Sequence, residues 1–243
     1  KPIINHKNKF PILTIKFMLI LWKLILFLKF PRYICPPKFY VLKEKILIKA
    51  IDLFINYGFK SVTMDDIASE MHISKKTIYS HFNNKTKLVK ASTYQVFDTI
   101  SKGINSICTL HKNPIEELYE IKKYVMVHLK NEKTSPHYQL CKYYPEINDA
   151  LKKKMFELIQ ACVVDNFKRG LKLGLYRTNI NVDFVSRIYF IGITGTKDEN
   201  IFPSELFSKK ELMNSFLEYH LRGIITREGL NALNQIIKKN HNE

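Results

Sequence analysis

The chain of 243 residues is long enough for one ordinary domain plus a small one, or for two modest domains, which excludes a short disulfide scaffold. Hydrophobic residues make up 46% and charged residues 25%, a globular balance that excludes collagen-like and wholly disordered chains. The formal charge of +17 points to a polyanionic partner, nucleic acid or an anionic membrane, although 33 of the 39 basic residues are Lys in a chain rich in Ile, Asn, Phe and Tyr, as AT-rich coding DNA also produces.

The charge is unevenly spread. Residues 1–43 carry +9, residues 44–90 carry +3 and residues 91–243 carry +5. The first segment contains Ile12–Phe30, an apolar run nearly long enough to span a bilayer but interrupted by Lys16, Lys23 and Lys29. Lys23 would lie near mid-membrane, at a cost of about 2.5–3.5 kcal/mol. No Ala, Gly or Ser within residues 1–40 offers a signal-peptide cleavage site. Val, Ala, Asp, Glu and Gly, whose codons share a first guanine, are absent from residues 1–40 yet supply 45 of the 200 residues from Glu44 onward. This contrast predicts that residues 1–40 are translated upstream DNA and that the native start lies near Val41 or Leu42. A membrane or interfacial segment over residues 12–30, and an ordinary structural arm, are the competing readings. Cys35, Cys108, Cys141 and Cys162 are widely separated with no C-x-x-C pair, which fits reduced, buried thiols in a cytosolic protein and gives no metal site.

From Lys43 the pattern is regular. Leu47, Ala50, Ile51 and Phe54 fall on one face of a helix over Glu44–Tyr57, and Gly58 followed by Phe59 supplies a left-handed stop with an apolar residue to fold back. Thr63 reads as an N-cap with Asp66 at N3, opening a second helix over Met64–Met71 with Ile67 and Ala68 inward. After His72 and Ile73, Ser74 caps a third helix, Lys75–Phe82. Ile73, Ile78 and Phe82 face the core, while Lys75, Lys76, Thr77, Tyr79, Ser80 and His81 lie largely outside. Two short helices joined by a turn of three or four residues form a helix-turn-helix, and Ala68 is small enough to let them cross closely.

The stretch Lys43–Ala91 resembles the N-terminal domain of TetR/AcrR-family bacterial transcriptional regulators. The likeness rests on the helix-Gly-aromatic turn, the Thr-capped second helix, the Ser-capped third helix and the ending Tyr79-Ser80-His81-Phe82. His72 departs from the Gly usual at that turn; His is among the residues that best tolerate a left-handed backbone. The resemblance implies that Lys75, Lys76 and Thr77 enter the major groove. It places Tyr79 and His81, with Ser80 on the same exposed face, at the DNA, and Thr63 and Lys85 on phosphates at the starts of their helices.

The rest reads as helices at about 85–110, 114–131, 136–144, 146–173, 182–196, 208–224 and 228–239, separated by Pro114, Pro136, Pro145, Gly174 and Pro203. Leu151, Met155, Leu158 and Cys162 keep heptad-like spacing, which predicts a bundle interior. The fold class is therefore all-α, with about nine or ten helices. The expected organisation is a doubtful extension over residues 1–40, a DNA-binding domain over 41–86, and a helical ligand-binding and dimerisation domain over 87–243. The resemblance implies dimerisation through the last two long helices, here with Val185, Ile188, Gly192, Leu212, Phe216 and His220. Gly195 and Gly223 are further small residues that permit close approach. Phe97, Tyr124, His128, Tyr138, Tyr144 and Phe156, with Tyr119 and Tyr143 nearby, offer the mostly apolar, polar-tipped mixture of a ligand cavity, and the same rings also suit a plain helical core.

The reading that follows is a cytoplasmic, homodimeric repressor of double-stranded operator DNA, released by an unknown small-molecule effector, with no cofactor or metal. The rivals are a membrane-tethered regulator through residues 12–30, and a helical small-molecule-binding protein or enzyme. No G-x-S-x-G, P-loop, dinucleotide fingerprint or H-E-x-x-H motif supports the enzyme.

Overall fold

The computed structural model describes residues 38–128 and 136–241. Among them are ten helices and no strand: α1 (Lys38–Tyr57), α2 (Met64–Glu70), α3 (Lys75–His81), α4 (Lys85–Cys108), α5 (Pro114–His128), α6 (Pro136–Tyr143), α7 (Pro145–Lys172), α8 (Val182–Gly195), α9 (Lys209–Ile224) and α10 (Arg227–His241). The all-α expectation holds, with most helix ends close to those predicted; α1, expected from Glu44, starts six residues earlier at Lys38. The seventh helix starts at Pro145, one residue earlier than expected, because a first helical residue needs no N–H and proline's φ is already suitable. The end of the helix predicted over 114–131 and the apolar run Ile12–Phe30 lie outside the described residues. No described helix is long and apolar enough to cross a membrane.

The chain divides before Ile46, and the described residues from that point on form the second of two units. In the second, α7 packs on α4, α5, α6 and α8, while α5 also meets α4, α9 and α10. The main core gathers Ile115 and Leu118 of α5, Val163 and Phe167 of α7, Tyr189 of α8, Leu217 and Leu221 of α9, and Leu233 of α10. The α7 residues picked out by heptad spacing, Leu151, Met155, Leu158 and Cys162, are only half-buried. The buried face of α7 is Ile147, Val163, Asn166, Phe167 and Gly170. After α7, Gly174 turns left-handed (φ 68°) and Tyr176 forms a lone antiparallel bridge with Ile225. Cys108 and Cys162 are half-buried, and burial pushes the Cys162 thiol up to about 12. Cys141, expected to be buried, is exposed.

Candidate DNA-binding interface

The N-terminal helices have their own apolar centre. Ile46, Ala50, Leu53 and Phe54 line the buried face of α1. Gly58 ends the helix with φ 85°, its amide donating to the Phe54 carbonyl at 2.9 Å. Phe59 folds back so that its ring centre lies 5.2 Å from that of Phe54. Val62, Met64, Ile67, Ala68, Ile78 and Phe82 complete this centre, while Ile73, expected inside, is half-buried.

At the start of α2 the Asp66 amide donates to Thr63 Oγ1 at 3.1 Å, and the Thr63 amide donates to Asp66 Oδ2 at 2.8 Å, a reciprocal capping box. The Thr63 N–H holds the Asp66 carboxyl below the usual carboxylate range. The helix stops through a Schellman pair, in which the Ile73 amide donates to Ala68 O at 3.0 Å and the His72 amide to Ser69 O at 3.1 Å. That geometry requires a left-handed residue between them, and His72 takes φ 54°. Ser74 then caps α3 by accepting from the Thr77 amide at 3.1 Å. Ala68 is buried beneath this crossing, as its small size predicts.

The outer face of α3 presents Lys75, Lys76, Tyr79 and Ser80 as exposed residues, with Thr77 and His81 half-buried. Lys75 forms an exposed 2.8 Å ion pair with Asp65 of α2, and this hydrogen bond raises its pKa. Ser80 Oγ donates to the Thr77 carbonyl at 2.7 Å. The Lys85 ammonium donates to the Lys60 carbonyl at 3.2 Å and feels the Asp66 carboxylate that Thr63 holds. Burial lowers the Lys85 pKa, and the Asp66 charge partly offsets this. Asn84, not singled out in the sequence, caps α4 by accepting from the Lys87 amide at 2.8 Å; its signal was an Asn directly before a periodic run.

The six candidate ligand residues fall in several places. Tyr124 and His128 meet, with ring centres 4.1 Å apart, and Tyr124 Oη donates to the Thr99 carbonyl at 3.3 Å. Phe97 is half-buried on α4 and Tyr138 is exposed on α6. Tyr144 packs edge-on against Phe59 at 6.2 Å, and Phe156 against Phe190 at 5.2 Å. None of the six lines the cavity of about 10 Å³ bordered by Leu118, Asn166, Tyr176, Tyr189, His220 and Ile224. That space is on the order of a single water. Of the six candidate dimer residues, Ile188 is exposed, Val185 and Leu212 are half-buried, and His220 is buried against Tyr189. Gly192 is covered by Phe216 of its own chain, whereas Gly195 and Gly223 face open space.

Sequence reasoning missed a buried polar network. Glu117, with no exposed surface, accepts at Oε1 from Arg169 Nη2 at 2.5 Å and from Asn166 Nδ2 at 2.8 Å. Tyr176 Oη donates to Asn166 Oδ1 at 2.8 Å. Among the described residues no group of three or more His, Cys, Asp or Glu side chains could hold a metal.

Two capped short helices crossing over a small residue, with basic and hydroxyl side chains on the outer face of the second, define a helix-turn-helix DNA-binding protein. Comparison with known proteins agrees. Residues 46–92 match the family described as bacterial regulatory proteins, tetR family. The biofilm operon icaADBC HTH-type negative transcriptional regulator IcaR of Staphylococcus aureus strain Newman is 24% identical over 192 residues, spanning 73% of this chain and 100% of that protein. Its Staphylococcus epidermidis counterpart is 29% identical over 143 residues, spanning 47% and 76%. The SmeT–triclosan complex has the same fold, with a TM-score of 0.62 at 16% identity over 76% of this chain and 92% of the other. A TetR-family transcriptional regulator from Agrobacterium tumefaciens gives 0.62 at 18% identity over 78% and 100%. Residues 46–92 thus carry the DNA-binding region of the tetR family of bacterial regulatory proteins, and the rest of the chain shares the fold of solved TetR-type regulators.

Proposed function

We propose that the protein is a homodimeric, cytoplasmic repressor that binds a near-palindromic operator through α3 and leaves it when a small hydrophobic effector binds. In this reading residues 41–86 are the DNA-binding domain and residues 87–243 the effector-binding and dimerisation domain. Lys75, Lys76 and Thr77 read the major groove, and Tyr79, Ser80, His81, Thr63 and Lys85 hold phosphates and set the register. The carrying observation is the exposed row Lys75, Lys76, Tyr79 and Ser80 on a helix whose inner face is pinned by buried Ile78. Repression follows the negative regulators to which the chain is similar.

A homodimer is supported by an apolar stripe on α8. Phe184, Ile188 and Ile191 fall on one helical face and are 61%, 44% and 60% exposed, with Tyr219 of α9 at 79%. Two copies joined there would set the spacing of two α3 helices. An effector preferring a different spacing lowers operator affinity by its differential binding to the two states. The test is an electrophoretic shift with the DNA upstream of the protein's own gene. Binding is expected from the wild type and not from Lys76→Ala/Tyr79→Ala; equal binding by both refutes the assigned surface.

A further inference from the structure

The turn between α1 and α2 is gripped from α6. Gly58 lies under the Gln139 side-chain amide, which a β-carbon at position 58 would strike. Phe59 packs edge-on against Tyr144 with ring centres 6.2 Å apart, and the Lys60 ammonium lies 5.4 Å from the centre of the Tyr143 ring. The Lys60 backbone is held on both sides: its amide donates to Gln139 Oε1 at 3.1 Å, and its carbonyl accepts from the Lys85 ammonium at 3.2 Å. Thr63, the cap of α2, follows three residues later.

We propose that Gln139 is a positioning residue for DNA binding: it fixes the Lys60 backbone so that the Lys60 carbonyl holds the Lys85 ammonium ready for a backbone phosphate. The proposal rests on the reading that Lys85 contacts phosphate. An ammonium has three donors, so one bond to the Lys60 carbonyl leaves two for phosphate oxygens. A lysine already anchored at its tip gives up less rotamer freedom on binding than one swinging in water. Gln139 touches no DNA in this arrangement. Its effect passes through one peptide unit, from the acceptor on the Lys60 N–H to the donor on the Lys60 C=O.

The experiment measures fluorescence anisotropy of a labelled mixed-sequence duplex with the full-length protein, across a series of KCl concentrations. Gln139→Met removes the acceptor at nearly constant volume. It is expected to weaken binding about three- to tenfold and to make the slope of log K against log salt shallower by about 0.9, the value of one phosphate contact. Lys85→Ala is expected to do the same, and Gln139→Met in the Lys85→Ala background is expected to add nothing. Gln139→Ser, which withdraws the acceptor without adding apolar surface, must reproduce the result, with circular dichroism reporting the fold of each variant. An unchanged slope in either Gln139 variant overturns the proposal, as does a full additional loss in the double variant. If the wild type binds neither this duplex nor its own upstream DNA, the DNA-binding reading fails instead.

Discussion

Replacing Arg169 by Ala removes the only cation bonded to the Glu117 carboxylate among the described residues. Glu117 has no exposed surface, and its Oε2 has no hydrogen-bond partner there, so the variant leaves a buried charge with a single bond, from Asn166, on Oε1. Stripping one partner from a buried ion pair costs about 3–5 kcal/mol. Arg169 also pairs with Asp165 at 3.0 Å, but that carboxylate is 61% exposed, and such i,i+4 pairs are worth about 0.3–0.5 kcal/mol. Arg169 Nη1 also donates to the Lys112 carbonyl at 3.3 Å, a bond worth about 0.5–1.5 kcal/mol, so most of the loss comes from Glu117. Against a typical total stability of about 5–15 kcal/mol, Arg169→Ala is strongly destabilising. At about 2–4 °C per kcal/mol for a chain of this size, the melting temperature falls by roughly 10 °C. Urea unfolding followed by far-UV circular dichroism checks this, with Asp165→Asn as the exposed control. Adding Glu117→Gln should recover much of the loss, because a neutral amide still accepts from Asn166 and carries no buried charge. A loss below about 1 kcal/mol, or a double variant no more stable than Arg169→Ala alone, would falsify the account of the network.

Three further outcomes are expected. His72→Gly relieves a left-handed residue, which costs about 1–2 kcal/mol for a side chain with a β-carbon. Glycine's greater freedom in the unfolded chain takes back about 0.5–1 kcal/mol, so the urea midpoint should rise slightly, and a clear fall contradicts the strain argument. Burial pulls the His220 imidazole down to about 4 from its ordinary 6.5. Below pH 6.5 the unfolded chain therefore takes up a proton that the folded chain refuses, and this stability is whole above about 6.5 and lost as pH falls towards 4. At about 1.36 kcal/mol per pH unit the window holds about 3 kcal/mol; unfolding curves at pH 4, 5, 6 and 7 should show it, and His220→Phe should flatten it. Asp65→Asn frees Lys75 from its ion pair and removes a negative charge beside α3. Duplex DNA should bind more tightly, with the salt slope steeper by up to about 0.9, and an unchanged slope means that the pair does not compete with phosphate.

Much of the fold was readable because its boundaries carry local chemistry. Thr63 and Ser74 cap helices through their own side chains, Gly58 and His72 stop them with left-handed backbones, and Pro114, Pro136 and Pro145 open helices where no N–H is needed. These signals act within four residues, so the sequence displays them. The α3 surface was readable for the same reason, since its inner and outer faces alternate with the helical period. Long-range pairing left no such trace. Glu117 looks like an ordinary acid in a first helical turn, favourable to the helix dipole, and its partners Asn166 and Arg169 come about fifty residues later. Gln139 carries no periodic or motif signal, although it bonds a residue 79 positions away. The inward placement of Gly192 and Phe216 also depended on the crossing of α8 and α9. A one-dimensional pattern shows that two helices are apolar without showing which faces meet within one chain.

Gly58 carries two demands at once, and genetics can separate them. Its backbone is left-handed at φ 85°, and the space above it belongs to Gln139. A Gly58→Ala lesion should therefore admit only partial second-site suppressors. Shortening Gln139 makes room for the new methyl group and leaves the backbone conformation as unfavourable as before. Asn at position 58 relieves the backbone, since Asn tolerates that region best after glycine, and leaves the steric conflict. Only the combination answers both, so suppressors of a Gly58 lesion should be rare singly and should pair across the same two positions.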